Sequence, residues 1–252
     1  SYLKVPDWFQ GEKGTDSEYP TQGWDDAVKN LGSEFENIIN KASLEVISDQ
    51  IECGIDIVTD GEVRRENYIH YHCRFLKGID FNNLTKKTAR TGNYDCYLPT
   101  IVNQVKFDKP FLSNEFKINQ NISSKPIKVT IPGPLTITDT IADNYYNDSK
   151  KLGIDLSVAI NNEIKDLANA GCKYIQIDEP LFARKTEEAI SFGIENLERC
   201  FHGLSNEVEK IVHICCGYPD KIDAIDYPKA PLNSYNDLAY YLEDSNINTI
   251  SI

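Results

Sequence analysis

The stretch DLSVAINNEIKDLANAGCKYIQIDEP, residues 155–180, predicts a helix, a turn and a strand in direct succession. Apolar side chains recur at steps of three and four over residues 155–170, which is typical of one buried helix face. Gly171 follows as a natural helix C-cap. The apolar run at residues 174–177 then predicts a strand, and this strand leads directly into Asp178. The unit is therefore a helix that returns the chain to a buried sheet.

The same alternation recurs along the chain. Further apolar, β-branched runs lie at residues 55–58, 127–131, 211–214 and 247–250, and helical spacing returns at residues 196–204 and 235–242. Strands that alternate with helices indicate parallel pairing through right-handed crossovers. Residues 77–124 are less regular, and we expect an inserted hairpin or another excursion there.

Motifs with acidic, histidine, cysteine, proline or glycine residues follow four of these strands. They are TDGE at residues 59–62, PGP at 132–134, DEP at 178–180 and HIC at 213–215. A (β/α)8 TIM-type barrel collects its active site from the carboxyl ends of its strands. A dinucleotide-binding sheet would need G-x-G-x-x-G after its first strand, and the sequence has none. The pattern predicts an α/β barrel that forms a single domain over residues 1–252.

Composition excludes several classes of protein. The 252 residues are 40% hydrophobic and carry a net charge of −13, which disfavours nucleic acid and anionic membranes as partners. No run of 18 apolar residues predicts a transmembrane helix. Seven scattered cysteines and an amino-terminal stretch without a signal peptide's apolar core indicate a cytoplasmic protein. Methionine is absent even at position 1, and we expect the first and last barrel strands to lie outside this sequence.

His213 and Cys215 are candidate metal ligands. Side chains alternate along a strand, so residues at positions i and i+2 share a face and can hold one ion. Zinc suits a mixed imidazole and thiolate set, although it needs at least one further ligand that is not evident nearby. The alternative is an ordinary packed strand end. Cys216 faces away on this interpretation and is expected to be a small buried hydrophobic residue.

The acidic and histidine motifs each have a structural alternative. Asp178 and the glutamate after it either line a site or cap the following helix. Glu62, with the charged residues 64–66 that follow it, is either a site residue or part of a solvated charge cluster. His70 and His72 also have i, i+2 spacing, but the aromatic residues around them favour packing over a second metal site.

Taken together, these motifs resemble the catalytic barrel of the cobalamin-independent methionine synthase family and its short single-barrel relatives. The resemblance covers residues 50–252 and rests on four ordered segments: DGE with the later REN at 60–67, PGPLTI at 132–137, IQIDEPL at 175–181 and HIC at 213–215. Any one of them is modest evidence, but all four follow strands in the same order as in the family.

The resemblance implies a zinc-dependent methyltransferase that moves a methyl group to a thiol, usually homocysteine, to give methionine. His213 and Cys215 would be zinc ligands and catalytic residues, with the thiolate on Zn2+ as the nucleophile. Glu62 and Asp178 would bind the substrate's ammonium group. The family's other two ligands, a glutamate and a cysteine, are expected beyond Ile252.

Departures from the family leave alternatives open. Thr140 stands where full-length enzymes carry a tryptophan against the folate donor, so folate is doubtful and the methyl donor is open. The chain also resembles sister enzymes that move other alkyl groups to other thiols, and metal-free barrels such as porphyrinogen decarboxylase. A ligand-binding barrel without catalysis is the remaining alternative.

Overall fold

The computed structural model describes residues 20–89, 94–217 and 229–252. The strands in chain order are β1 (Leu76–Ala89), β2 (Tyr94–Phe107), β3 (Lys128–Pro132), β4 (Ala142–Asp143), β5 (Tyr174–Asp178), β6 (Glu209–His213) and β7 (Thr249–Ser251). The α-helices are α1 (Pro20–Leu31), α2 (Phe35–Glu52), α3 (His70–Cys73), α4 (Leu112–Ile122), α5 (Pro134–Thr140), α6 (Ser149–Asn169), α7 (Thr186–Glu188), α8 (Ile194–Cys200) and α9 (Leu232–Glu243). A 3-10 turn covers Gly32–Glu34 and a π-helical turn covers Ala189–Gly193.

The central sheet is parallel, with strand order β3-β5-β6-β7. This arrangement confirms the predicted α/β class and the parallel pairing. The predicted strand at residues 55–58 is wrong, because only Val58 joins the sheet, through a single bridge to Ile127. Ile55 and Ile57 are 42% and 38% exposed, so their apolar side chains do not mark a buried strand.

Helix α6 shows why the opening stretch folds as it does. Its buried face repeats every three or four residues through Leu152, Leu156, Ile160, Ile164 and Leu167. The helix begins after Asp148, whose side chain accepts hydrogen bonds from two backbone N–H groups of the first turn. It ends before Gly171, which has a φ of +101° with open space around its Cα. The predicted C-cap is confirmed, and it turns the chain into β5.

Residues 77–124, predicted as a hairpin or other excursion, contain an antiparallel hairpin followed by helix α4. Strands β1 and β2 pair from Leu76 opposite Phe107 to Ala89 opposite Tyr94. The short strand β4 adds to β2 in parallel. Side chains of the hairpin join the buried cluster formed by α6 and the central sheet, so the excursion is packed onto the main core.

The main core lies between the central sheet and its helices. Its largest fully buried side chains include Phe182, Phe201, Ile127, Ile131 and Leu135. An eight-stranded barrel needs eight parallel strands. The described residues form four of them and one further bridge, so the closed barrel stays a prediction. In the part of the chain described above, no helix is both long and apolar enough to cross a bilayer.

Candidate functional site at the carboxyl ends of the parallel strands

Two of the predicted site residues lie side by side. Asp178 ends β5 and pairs in register with His213, which ends β6. His213 is in turn the register partner of Ser251 on β7. Partners in register on parallel strands face the same side of the sheet, so one face carries a carboxyl group next to an imidazole. The sheet therefore brings the DEP and HIC motifs together, as the strand-end argument predicts.

Asp178 is a buried acid that accepts a hydrogen bond from a side chain of its own strand. It is only 8% exposed, and Gln176 Nε2 donates to its Oδ1 at 2.6 Å. Burial raises the pKa of Asp178 to about 7, and the negative charge of Glu62 acts in the same direction. The positive charges of Arg65 and Lys128 oppose this shift. Such a carboxyl group gains much from a cationic ligand, because a further positive charge would stabilise its charged form.

Glu62 is held in an unusual backbone conformation. Its φ is +57°, a region that residues other than glycine rarely adopt outside turns and functional sites. Its Oε1 accepts hydrogen bonds from Thr130 Oγ1 at 2.8 Å and from Arg65 Nη1 at 3.1 Å. The loop after Val58 is thereby tied to β3, and the Glu62 carboxylate is directed toward the face that carries Asp178.

The charged residues after Glu62 do not form a solvated cluster, so that alternative is wrong. Arg65 is 2% exposed, and its Nη1 also donates to Thr130 at 2.9 Å. The Glu66 side chain is 1% exposed and pairs with Arg74 at 2.6 Å. Buried charges are tolerated only when they are paired in this way, so the segment is an internal ion-pair network next to the sheet.

Glu179 caps a helix, but not the helix that follows it. Its carboxylate accepts hydrogen bonds from the backbone N–H groups of Leu135 and Thr136, at 2.9 and 3.0 Å, and from the Thr136 hydroxyl at 2.8 Å. These donors belong to the first turn of α5, which comes from the neighbouring strand β3. Burial raises the pKa of Glu179 to about 8. A Cβ on Gly133 would lie 2.2 Å from this carboxyl group, which explains the glycine of the PGP motif.

Among the described residues, one ring nitrogen of His213 has a hydrogen-bond partner and the other, Nε2, has none. Its Nδ1 lies 3.2 Å from the backbone oxygen of Ser251. A carbonyl oxygen can only accept, so Nδ1 carries the proton and Nε2 keeps its lone pair. Burial lowers the pKa of His213, with the Ser251 hydrogen bond acting against that shift. A neutral imidazole oriented by a backbone carbonyl is the form that binds metals.

The two cysteines differ from the expectation. Strand β6 ends at His213, so Cys215 lies beyond the strand and strand alternation does not fix its direction. Cys215 is 7% exposed, and its Sγ accepts a hydrogen bond from the Gly217 N–H at 3.3 Å. Cys216, expected to be a small buried hydrophobic residue, is only partly buried. The burial of Cys216 differs from the expectation because the strand ends at His213. Strand alternation therefore does not apply to the residues that follow.

No group of three or more His, Cys, Asp or Glu side chains that could hold a metal ion forms within residues 20–89, 94–217 and 229–252. His213 and Cys215 thus stand as a candidate pair rather than a complete ligand set. His70 and His72 are buried, and His72 packs edge-on against Phe111 with ring centroids 5.5 Å apart. Its Nδ1 lies 2.9 Å from the Tyr68 backbone oxygen. The packing interpretation of this motif is confirmed.

Three polar residues of the site were missed by the sequence argument: Lys128, Thr130 and Gln176. Each precedes a motif by two or four residues and lies inside an apolar strand. The signal was a polar residue at every second position of β3 and β5, which indicates that one face of these strands is polar.

Comparison with known proteins agrees with the motifs. A family profile described as "Cobalamin-independent synthase, Catalytic domain" matches residues 21–226. A protein named methionine synthase from Saccharolobus solfataricus is 34% identical over 192 residues, covering 76% of this chain and 56% of its own length. One of the same name from Sulfolobus acidocaldarius is 30% identical, covering 81% and 60%. The chain thus spans less than two thirds of these curated relatives.

Solved structures agree with these sequence matches. A B12-independent methionine synthase from Shewanella sp. W3-18-1, in complex with selenomethionine, superposes with a TM-score of 0.77 at 33% identity. The match covers 88% of this chain and 64% of that chain. A putative B12-independent methionine synthase from Listeria monocytogenes shares the fold, with a TM-score of 0.64 at 18% identity. On the profile match, which covers most of its residues, the chain belongs to the cobalamin-independent synthase family.

Proposed function

We propose that this chain transfers a methyl group to the thiol of homocysteine and so forms methionine. The observation that carries the proposal is the register pairing of Asp178 with His213 at the carboxyl ends of parallel strands. Asp178 supplies charge for an amino-acid substrate, and His213 supplies a neutral nitrogen beside it. The family and the names of the relatives support the same reaction.

We propose further that the parallel sheet is part of a (β/α)8 barrel. The strand order β3-β5-β6-β7, with Val58 bridged to the outer side of β3, follows the order of the chain without reversal. A barrel is built by adding each parallel strand next to its predecessor in this way, whereas a doubly wound sheet reverses direction at a switch point. The likeness to the Shewanella structure also supports a shared architecture.

Glu62 and Asp178 would bind the ammonium group of the acceptor. Both carboxyl groups lie at the same face, and the charge of Glu62 raises the pKa of Asp178. An ammonium group between them would relieve this repulsion, and its three N–H groups could donate hydrogen bonds to the two carboxyl groups. The thiol end of the same substrate would then lie toward His213, the neighbour of Asp178 in the sheet.

Zinc fits the residues that are present. His213 Nε2 keeps its lone pair because Nδ1 faces the Ser251 carbonyl, and the Gly217 N–H donates to Cys215 Sγ, which orients this sulfur. His213 and Cys215 would hold the ion together with ligands outside the described residues. Bound zinc would lower the pKa of a coordinated thiol, so that its sulfur reacts as a thiolate at neutral pH.

In the reaction, the acceptor thiol gives up its proton to solvent and a sulfur electron pair forms the new bond to the methyl carbon. The bond between the methyl group and its donor breaks, and the donor atom keeps that electron pair. This chain's part is to orient the acceptor through Glu62 and Asp178, which makes the attack effectively intramolecular. Thr140, whose hydroxyl donates to the Thr136 carbonyl at 2.6 Å, offers no aromatic surface for a pterin ring.

The proposal is tested by zinc content and methyl transfer in matched cysteine variants. Cys215→Ser should lose bound zinc and transfer to homocysteine, whereas Cys216→Ser should keep both. Metal is measured by mass spectrometry after dialysis, and transfer is assayed with methyl-folate and methyl-sulfonium donors. Absence of zinc from the wild-type protein, or undiminished zinc in Cys215→Ser, would refute the assigned ligands.

A further inference from the structure

A row of polar side chains lies on the sheet face next to Asp178. Strands β3 and β5 pair with Lys128 opposite Tyr174 and Pro132 opposite Asp178. Every second residue faces the same side, so Lys128, Gln176 and Asp178 share one face. Gln176 is two positions along from Tyr174, which puts it diagonally within reach of the long Lys128 side chain.

Two hydrogen bonds link these residues in series. Lys128 Nζ donates to Gln176 Oε1 at 2.7 Å, and Gln176 Nε2 donates to Asp178 Oδ1 at 2.6 Å. Gln176 and Asp178 are 6% and 8% exposed, and Lys128 is partly buried. Burial lowers the pKa of Lys128, while the charge of Asp178 acts against that shift. Burying a lysine against a glutamine is costly, so this placement calls for a reason.

The chemistry of the lysine ammonium group fixes the direction of these two hydrogen bonds. An ammonium group has donors but no acceptor, so Lys128 can face only the oxygen of the Gln176 amide. With that oxygen occupied, the amide nitrogen must face Asp178 and donate to it. Without Lys128 the amide keeps its hydrogen bond to Asp178 but loses the partner that holds its oxygen. Lys128 therefore restrains the end of Gln176 that meets the acid.

We propose that Lys128 is a positioning residue that acts through Gln176 to fix the Asp178 carboxylate for the ammonium group of an amino-acid ligand. This inference rests on the proposed function, because it takes Asp178 as the group that binds the ammonium. It adds that selectivity for ligands with an α-ammonium over ligands without one depends on a lysine whose hydrogen bond goes to Gln176.

The direction of the effect separates positioning from simple electrostatics. Lys128 is positively charged, so removing it would on its own strengthen the binding of another cation near Asp178. If Lys128 acts by holding Gln176, removing it instead weakens that binding. The two explanations predict opposite signs for the same substitution.

The experiment compares two ligands in the intact protein by titration calorimetry. Methionine carries the ammonium group, and 4-(methylthio)butanoate is the same thioether acid without it. Lys128→Met and Gln176→Leu should each weaken methionine binding about tenfold, the effect of one charge-assisted hydrogen bond, and leave the amine-free ligand nearly unchanged. Lys128→Arg, which still donates to Gln176, should restore most of the methionine affinity.

Three outcomes would overturn the inference. Stronger methionine binding in Lys128→Met would show that only charge matters, and an equal loss for both ligands would show a general structural role. Failure of Lys128→Arg to restore binding would exclude the directed hydrogen bond. Failure of the wild-type protein to bind methionine would instead remove the proposed function, and the inference with it. Circular dichroism melting of each variant confirms that it is folded before titration.

Discussion

Asp178 and His213 are register partners on adjacent parallel strands, and the next residue, Glu179, donates its backbone N–H to the His213 carbonyl at 2.9 Å. The spacing between the acid and the imidazole is therefore fixed by the sheet itself rather than by flexible loops. A substrate that contacts both groups is positioned by the most rigid part of the molecule, which favours an ordered reaction geometry.

Asp178→Asn should discriminate between acceptors. The substitution keeps the shape of the side chain but removes the charge that would bind an ammonium group. We expect kcat/KM for homocysteine to fall by about 10- to 100-fold, the range for a charge-assisted hydrogen bond, with little change for a thiol that lacks the amino group. Steady-state kinetics with both acceptors measures the ratio.

Asp56→Asn is the matched control, since Asp56 is exposed and pairs with Lys125 at 2.8 Å on the surface. Surface ion pairs contribute little, so this variant should behave as the wild type with both acceptors. Equal losses for both acceptors in Asp178→Asn would argue against homocysteine and for a different thiol.

Thr130→Val should disconnect Glu62 from the sheet. The Thr130 hydroxyl donates to Glu62 and accepts from Arg65, so valine leaves a buried guanidinium with one acceptor fewer. We expect unfolding free energy to fall by about 1–3 kcal/mol and KM for homocysteine to rise. Urea unfolding and kinetics measure the two effects. Thr130→Ser, which keeps the hydroxyl, should recover the KM; if it does not, Thr130 is not what orients Glu62.

The parallel sheet was predictable from sequence because buried parallel strands are continuous apolar runs of β-branched residues. The runs at residues 127–131, 174–177 and 211–214 each fall within two residues of β3, β5 and β6. The run at 55–58 has the same composition but failed as a strand. Composition reports how apolar a segment is, whereas strand formation also requires partners, and here only Val58 has one.

The site was only partly predictable, because its contacts depend on register between strands far apart in sequence. The DEP and HIC motifs named Asp178 and His213, but neither motif indicates that the two are opposite each other. The same holds for Glu62 and Thr130, which lie 68 residues apart. Strand alternation also could not be extended to Cys215, because the strand ends two residues earlier.

Gly133→Ala should destabilise the protein more than an ordinary glycine substitution. The new Cβ would lie 2.2 Å from the Glu179 carboxyl group and displace it from the first turn of α5. Overpacking and lost buried hydrogen bonds together should cost about 2–4 kcal/mol in unfolding free energy. Gly171→Ala is the control, since its positive φ costs about 1 kcal/mol without any clash. Equal costs in urea unfolding would mean that Glu179 yields easily and is not a firm cap.

His70 should make the protein acid-sensitive. Burial lowers the pKa of His70 from 6.5 to about 4, and the charge of Arg74 adds to the shift. The unfolded chain takes up a proton below pH 6.5, whereas the folded chain does so only near pH 4, so stability falls as pH decreases through this window. The full shift corresponds to about 3 kcal/mol. His70→Gln and His70→Phe pack differently, but both lack the imidazole. Urea unfolding between pH 4 and 7 should therefore show the same reduced pH slope in both, and a slope equal to that of the wild type would contradict the buried neutral state.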